Sequence, residues 1–194
     1  MSNRSSRGFH PFLGRCRLPR FHGLAIFERT NIGNISMSEP TSARADIIPY
    51  TGEFSSVVRS WIDSEETLYY LCRGKEFPPA EDLVDSWQRP DITSYLLFSE
   101  RKPVGYGELW PRPAERAVEI AHLLVDPFRR SEGFGTKILQ LLYQQAAVRR
   151  DVGRVVVNLY NDSEVALGCY LKAGFELVGT ATHTVGLRMA RIVK

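Results

Sequence analysis

A chain of 194 residues, 43% apolar and 24% charged, has the size and balance of one globular domain with a substantial core. Its net charge of +3 is uneven: residues 1–36 hold Arg4, Arg7, Arg15, Arg17, Arg20 and Arg29 against the single acid Glu28, a surplus of five that leaves the remainder at −2. A near-neutral body gives no general case for nucleic-acid binding, and no run approaches the roughly 20 apolar residues of a membrane span. Three cysteines, Cys16, Cys72 and Cys169, fall in no CxxC or Cys/His spacing, so reduced thiols, a cytoplasmic location and no bound metal are expected.

Residues 1–36 mix Arg, Ser, Gly and Phe without steady periodicity, so 1–40 is set apart as a basic extension expected to be disordered, with a catalytic-size domain over 45–194. Three origins stay open for the extension: an upstream start ahead of a true initiator at Met37, a transit peptide, or a tail that touches a partner. The first is preferred, because MSEPTSARADIIPY reads as a short lead into a strand.

In chain order, Ala45–Pro49 reads as a first strand, and Ser55–Asp63 and Pro79–Trp87 as helices with a break at Gly74–Pro79. Ser94–Ser99 and Val104–Trp110 form a hairpin around Glu100–Pro103, and Ala117–Val125 is the next strand. Thr136–Arg150 has Ile138, Leu139, Leu142, Tyr143 and Ala146 at helical spacing. Arg154–Tyr160 is a dense β-branched run suited to a buried strand. Ser163–Ala173 is a helix with Ser163 at its N-cap and Gly174 past its end, and Phe175–Val178 and Thr184–Ile192 close the chain as strands. The result is an α/β chain with a mixed sheet and helices on both faces.

The most informative run is Val118–Thr136, in which a strand passes through a Pro turn, two arginines and a Gly-x-Gly loop straight into a helix. The first-turn amides of such a helix have no intrahelical acceptor, and the macrodipole puts partial positive charge where they point. Arg129 and Arg130 would add full charges. A P-loop is excluded by the spacing to Lys137, and a dinucleotide fingerprint by Ile138 where a third glycine or alanine belongs.

The pattern Arg130-x-x-Gly133-x-Gly135 after Val125-Asp126-Pro127 resembles the coenzyme A loop of GNAT superfamily N-acetyltransferases. A second stretch, Ala166-x-x-x-Tyr170-x-Lys172-Ala173-Gly174-Phe175, resembles the helix ending that follows the fifth strand of that superfamily. The likeness runs from about Ala45 to the C-terminus and is sharp from Val118 to Phe175. It implies the GNAT fold, a mixed and mostly antiparallel sheet flanked by helices, and transfer of acetyl from acetyl-CoA, as co-substrate and without a metal, to a primary amine by direct attack in a ternary complex.

The resemblance maps the diphosphate onto Arg130, Ser131, Glu132, Gly133, Phe134, Gly135 and Thr136. It maps the pantetheine arm onto the strand edge at Leu123, Leu124 and Val125, where one N–H would face the thioester oxygen. Tyr170 matches the tyrosine that protonates the leaving thiolate. Glu119 matches a catalytic glutamate that some members use as base, often through water, and alternation places Glu119, Ala121, Leu123 and Val125 on one side. His122 is a competing base expected on the opposite side, half-buried against a backbone partner. Where many members carry Asn, this chain has Ser163, with Asn161 two residues upstream. Where ribosomal-protein acetyltransferases often carry a glutamate, it has Asn158. Trp61, Trp87 and Trp110 are read as core, and Cys169 as an inert packing thiol. The acceptor, a small molecule or a peptide amine, is open, as is a homodimer of the kind common in the family. A non-catalytic acyl-CoA sensor and a different acyl donor are the rival readings.

Overall fold

The computed structural model describes residues 45–160, 163–180 and 186–194; the expectations for 1–40, Asn161 and the start of the last strand at Thr184 fall outside the described residues. Seven strands, β1 (Ala45–Pro49), β2 (Thr93–Ser99), β3 (Lys102–Arg112), β4 (Ala117–Val125), β5 (Arg154–Tyr160), β6 (Glu176–Thr180) and β7 (Gly186–Ile192), form one sheet in the order β1-β2-β3-β4-β5-β7-β6. All neighbours are antiparallel except β4 and β5. That parallel pair needs a crossover, and helix α4 (Phe134–Ala147) supplies it.

The other helices are α1 (Ser55–Ser60), α2 (Glu65–Cys72), α3 (Leu83–Ser86) and α5 (Glu164–Lys172). Helix α2 was not anticipated. Its start is written in Ser64, whose hydroxyl accepts from the Thr67 amide at 3.1 Å, and in Glu65 and Glu66 of the first turn, where acids suit the dipole. Arg73 ends it in the left-handed region at φ 59°. The stretch expected to be helical over Pro79–Trp87 condenses to the single turn of α3. Conversely α4 starts two residues earlier than its apolar spacing suggests, because Phe134 is itself a core residue.

Two cores lie on opposite faces of the sheet, as alternation along strands requires. On one face Ile138, Leu139 and Leu142 of α4 and Tyr170 of α5 pack with Leu97, Leu109, Val118, Ile120, Val155, Val157 and Phe175. On the other, Val58, Trp61, Leu68, Val84 and Trp87 from α1–α3 and their flanks pack with Leu96, Tyr106 and Leu124. The tryptophans Trp61 and Trp87, 4% and 8% exposed, are core residues as expected.

Candidate functional site

The site is organised by β4 parting from β5. Pairing runs from Ala117↔Arg154 to Ile120↔Val157 and stops. Beyond that point the side of β4 that faced β5 has no ladder partner among the described residues, leaving unpaired backbone groups from Ala121 to Val125. On the other side the register with β3 shifts from Glu108↔Ala121 to Tyr106↔Leu124, so β4 carries one extra residue, and His122 sits there at φ 45°.

An extra residue turns every later side chain over. Val118 and Ile120 face the α4–α5 core before the bulge, whereas Leu123 and Val125 pack against that core after it, and Leu124 enters the α1–α3 core. Glu119 lies opposite Trp110 on β3, two residues from Glu108, whose partner Tyr106 belongs to the α1–α3 core. The expected row of Glu119, Leu123 and Val125 on one side is therefore broken, and Glu119 shares its side with His122 instead. Simple alternation could not foresee this.

Past β4, Asp126 accepts from the Phe128 amide at 3.0 Å and a short turn runs over Pro127–Arg129. Ser131 (φ 66°) and Gly133 (φ 87°) then swing the chain into α4. Gly133 provides no side-chain cap, so the amides of Phe134, Gly135 and Thr136 open the helix without an intrahelical acceptor; the first closed bond is Lys137 N–H to Gly133 O at 3.0 Å. This is the uncapped, glycine-led helix start that suits an anion.

The two arginines beside it are not free charges. Arg129 donates to both carboxylate oxygens of Glu132 at 2.9 and 3.0 Å, and its guanidinium lies 4.8 Å from the Phe134 ring centroid. Arg130 donates to both oxygens of Asp63 at 2.9 and 3.1 Å and to the Trp61 carbonyl. Burial alone would raise the Asp63 carboxyl, but hydrogen bonds from Arg130 and Thr67 overcome that and hold it below the usual range. Arg130 thus ties the loop to the end of α1.

The two loop glycines serve different ends. A Cβ on Gly133 would meet nothing within 4 Å, whereas one on Gly135 would lie 3.1 Å from Cys169 Sγ of α5. Thr136 Oγ1 is 3.5 Å from the same sulfur, and burial pushes the Cys169 thiol up, so it is a packing group at the α4–α5 contact. Its neighbour Tyr170 is 9% exposed, with its ring 6.2 Å from that of Phe175. Burial pushes the Tyr170 hydroxyl well above the ordinary phenol range, which keeps its proton in place. Ser163 stands at the N-cap of α5 but makes no capping hydrogen bond.

Glu119 accepts three hydrogen bonds. Its Oε2 accepts from Arg112 Nε at 2.8 Å and Nη2 at 2.7 Å, and its Oε1 accepts from Asn158 Nδ2 at 2.7 Å. Asn158, noted in the sequence only as a departure from one subgroup, is here the partner of Glu119.

The residue that sequence reasoning missed is Glu108. It is wholly buried, and it accepts from Tyr106 Oη at 2.6 Å and Trp110 Nε1 at 2.6 Å, with His122 Nδ1 at 3.0 Å. The expected backbone partner of His122 is thus a side chain. A lone carboxylate in the apolar run VGYGELW was the available signal, the same one that drew attention to Glu119. Among the described residues, no group of three or more His, Cys, Asp and Glu could hold a metal ion, and no helix is long and apolar enough to cross a membrane.

The model of the acetyltransferase (GNAT) family matches residues 58–175, from α1 through the loop to Phe175. The chain belongs to the GNAT family. Among curated relatives, aminoglycoside N(6')-acetyltransferase type 1 from Klebsiella pneumoniae and from Serratia marcescens are each 26% identical over 106 residues, 49% of this chain and 53% of theirs. The GNAT member therefore spans about half the length of those relatives. Among solved structures, aminoglycoside acetyltransferase AAC(6')-Ib in complex with coenzyme A and kanamycin superposes with a TM-score of 0.64 at 20% identity, over 77% of this chain and 95% of that one. Spermidine N-acetyltransferase from Vibrio cholerae with coenzyme A and spermine gives 0.63 at 11% identity, over 77% and 95%. These likenesses establish the GNAT fold, an α/β sheet flanked by helices.

Proposed function

We propose that this GNAT protein is an acetyl-CoA-dependent N-acetyltransferase that moves acetyl to a primary amine by direct attack in a ternary complex. One observation carries the reading: the unpaired edge of β4 runs directly into an uncapped helix start through residues 126–133. A thread-like, amide-bearing pantetheine arm can pair with such an edge as an added strand, while the Phe134, Gly135 and Thr136 amides take the diphosphate. One N–H of Leu123–Val125 then faces the thioester oxygen as negative charge develops on it.

The amine nitrogen attacks the thioester carbon, forming the C–N bond as the C–S bond breaks. Tyr170, kept protonated by burial, hands its proton to the departing thiolate. The attacking amine must lose a proton, and Glu119 and His122 both stand on the α1–α3 side of β4 to receive one, directly or through water.

Titration calorimetry with coenzyme A, followed by thiol release from acetyl-CoA across a panel of amines that includes kanamycin, spermine and a peptide N-terminus, tests this. Binding with turnover of any panel amine is the expected result. Binding without turnover of any of them favours an acyl-CoA sensor, and absence of binding removes the reading altogether.

A further inference from the structure

Glu108 is a wholly buried carboxylate on β3 for which the reaction as described has no use. Burying such a group is costly unless it is hydrogen-bonded and paired. Its surroundings meet that need entirely with donors. Trp110 Nε1 can only donate, and it reaches Oε2 at 2.6 Å. Tyr106 Oη receives Gln88 Nε2 at 2.9 Å and passes its own hydrogen to Oε1 at 2.6 Å, while Gln88 Oε1 is in turn fixed by the Ser94 hydroxyl at 2.9 Å. Both oxygens of Glu108 therefore already act as hydrogen-bond acceptors.

His122 Nδ1, 3.0 Å from the same Oε2, must then carry a hydrogen, because a bare nitrogen there would set lone pair against lone pair. In the neutral ring this puts the basic lone pair on Nε2. That atom has no hydrogen-bond partner among the described residues, and the His122 side chain keeps 12% of its surface exposed. The ring is held on two sides, 4.2 Å from the Trp87 ring centroid and edge-on to Trp110 at 5.4 Å. Its backbone is the bulge itself, at φ 45°, one residue before the strand edge at Leu123.

Glu119 offers a contrast. Its two oxygens already accept three bonds from Arg112 and Asn158, and a proton placed on it would weaken the ion pair with Arg112. We infer that His122 is the catalytic base for the attacking amine, with Glu108 as the buried positioning residue that fixes its tautomer and stabilises the imidazolium that forms. The assignment rests on the transferase reading above. The proton leaves the amine for His122 Nε2, the thiolate gains one from Tyr170, and the imidazolium returns a proton to the tyrosinate through solvent, so charge balances over the cycle. Among the described residues, the charged or titratable group in contact with the ring is Glu108, which Tyr106 also bonds; Arg89 and Arg112 stand over the neighbouring Trp110, their guanidinium carbons 4.9 and 5.3 Å from its ring centroid, and Glu119 pairs with Arg112.

The test combines nitrogen-15 NMR of the imidazole, calorimetry and pH-dependent turnover on the full chain. The wild type should show the Nδ1–H tautomer of His122, assigned by its loss in His122→Gln, and Glu108→Gln should weaken that preference. Both variants should bind coenzyme A as the wild type does. On an accepted amine, His122→Gln should lower kcat about 100-fold or more with the acetyl-CoA KM unchanged. Glu108→Gln, by removing the charge that stabilises the imidazolium, should shift the acid limb of the kcat profile to lower pH. An Nε2–H tautomer in the wild type overturns the assignment whether or not a panel amine is accepted. So does unchanged kcat in a His122→Gln protein that still binds coenzyme A. Loss of coenzyme A binding in the wild type removes the transferase reading instead, and is told apart by the calorimetry.

Discussion

Gly135→Ala is the sharpest structural test of the loop. In a helix, alanine is ordinarily better than glycine, by about 1 kcal/mol in the interior and less in the first turn, where Gly135 stands. Here the new Cβ would stand 3.1 Å from Cys169 Sγ, about 0.5 Å inside a comfortable contact. Either the thiol rotates or α4 and α5 move apart at the point where Thr136 Oγ1 also meets that sulfur at 3.5 Å. Overpacking of this kind costs about 1–3 kcal/mol, so the net expectation is a loss of about 0–2 kcal/mol. Adding Cys169→Ala removes the offending atom, so the double variant should be more stable than the two single changes sum to, by about 1 kcal/mol. Because the displaced turn carries the Gly135 and Thr136 amides, coenzyme A affinity should fall in Gly135→Ala and recover in the double variant. Urea midpoints and calorimetric dissociation constants for the four proteins give both cycles. Additive stabilities with unchanged affinity would refute the claim that this glycine exists to admit α5. Gly133→Ala is the control: it meets open space, so its cost is the left-handed backbone at φ 87°, about 1 kcal/mol, and Cys169→Ala should not relieve it.

Removing Asp63 frees Arg130 from its ion pair, so Asp63→Ala should tighten coenzyme A binding a few-fold at low salt, with the gain shrinking as salt screens it; weaker binding at both salts would mean that Asp63 aims Arg130 at the ligand. Tyr170→Phe should leave coenzyme A affinity intact and lower kcat, and a proportional loss of both would place Tyr170 in packing alone. The same tyrosine affects alkaline stability. Its folded pKa lies above the unfolded value of about 10, so the stability it contributes is complete below pH 10 and is lost as pH rises beyond it, by up to about 1.4 kcal/mol per pH unit. Urea midpoints between pH 9 and 11 should therefore fall less steeply in Tyr170→Phe, and equal slopes would contradict the buried, protonated hydroxyl.

Much of this was legible because it is written locally. The β-branched run RVVVNLY has nowhere to go but a buried strand, and the central strand Ala117–Val125 keeps its expected bounds. The loop was readable because glycines and a following apolar helical pattern are punctuation that tertiary context seldom overrides. Helix α2 shows the opposite limit. Its start signal, Ser64 before Glu65 and Glu66, is clear in hindsight, but Leu68 is its one buried residue, so the apolar period that would have announced it is faint.

The site itself was half legible, and the missing half has one cause. Which face a strand residue occupies follows from counting by twos, and the count fails where a residue is inserted. No glycine marks the bulge in EIAHLLV: it falls on a histidine at φ 45°, a residue that enters this region more often than most but gives far less warning than glycine. The insertion is tolerated because the side chain at that position is held from three directions, by Glu108, Trp87 and Trp110, each distant in sequence. One irregularity therefore does three things at once. It rotates Leu123 and Val125 onto the α4 core, it lies where β4 leaves β5 and its edge falls open, and it puts an imidazole beside a buried carboxylate at the head of that edge. A sequence lists all these residues, but only the fold brings β3, α3 and β4 to the same point, and that meeting gives the edge a proton acceptor.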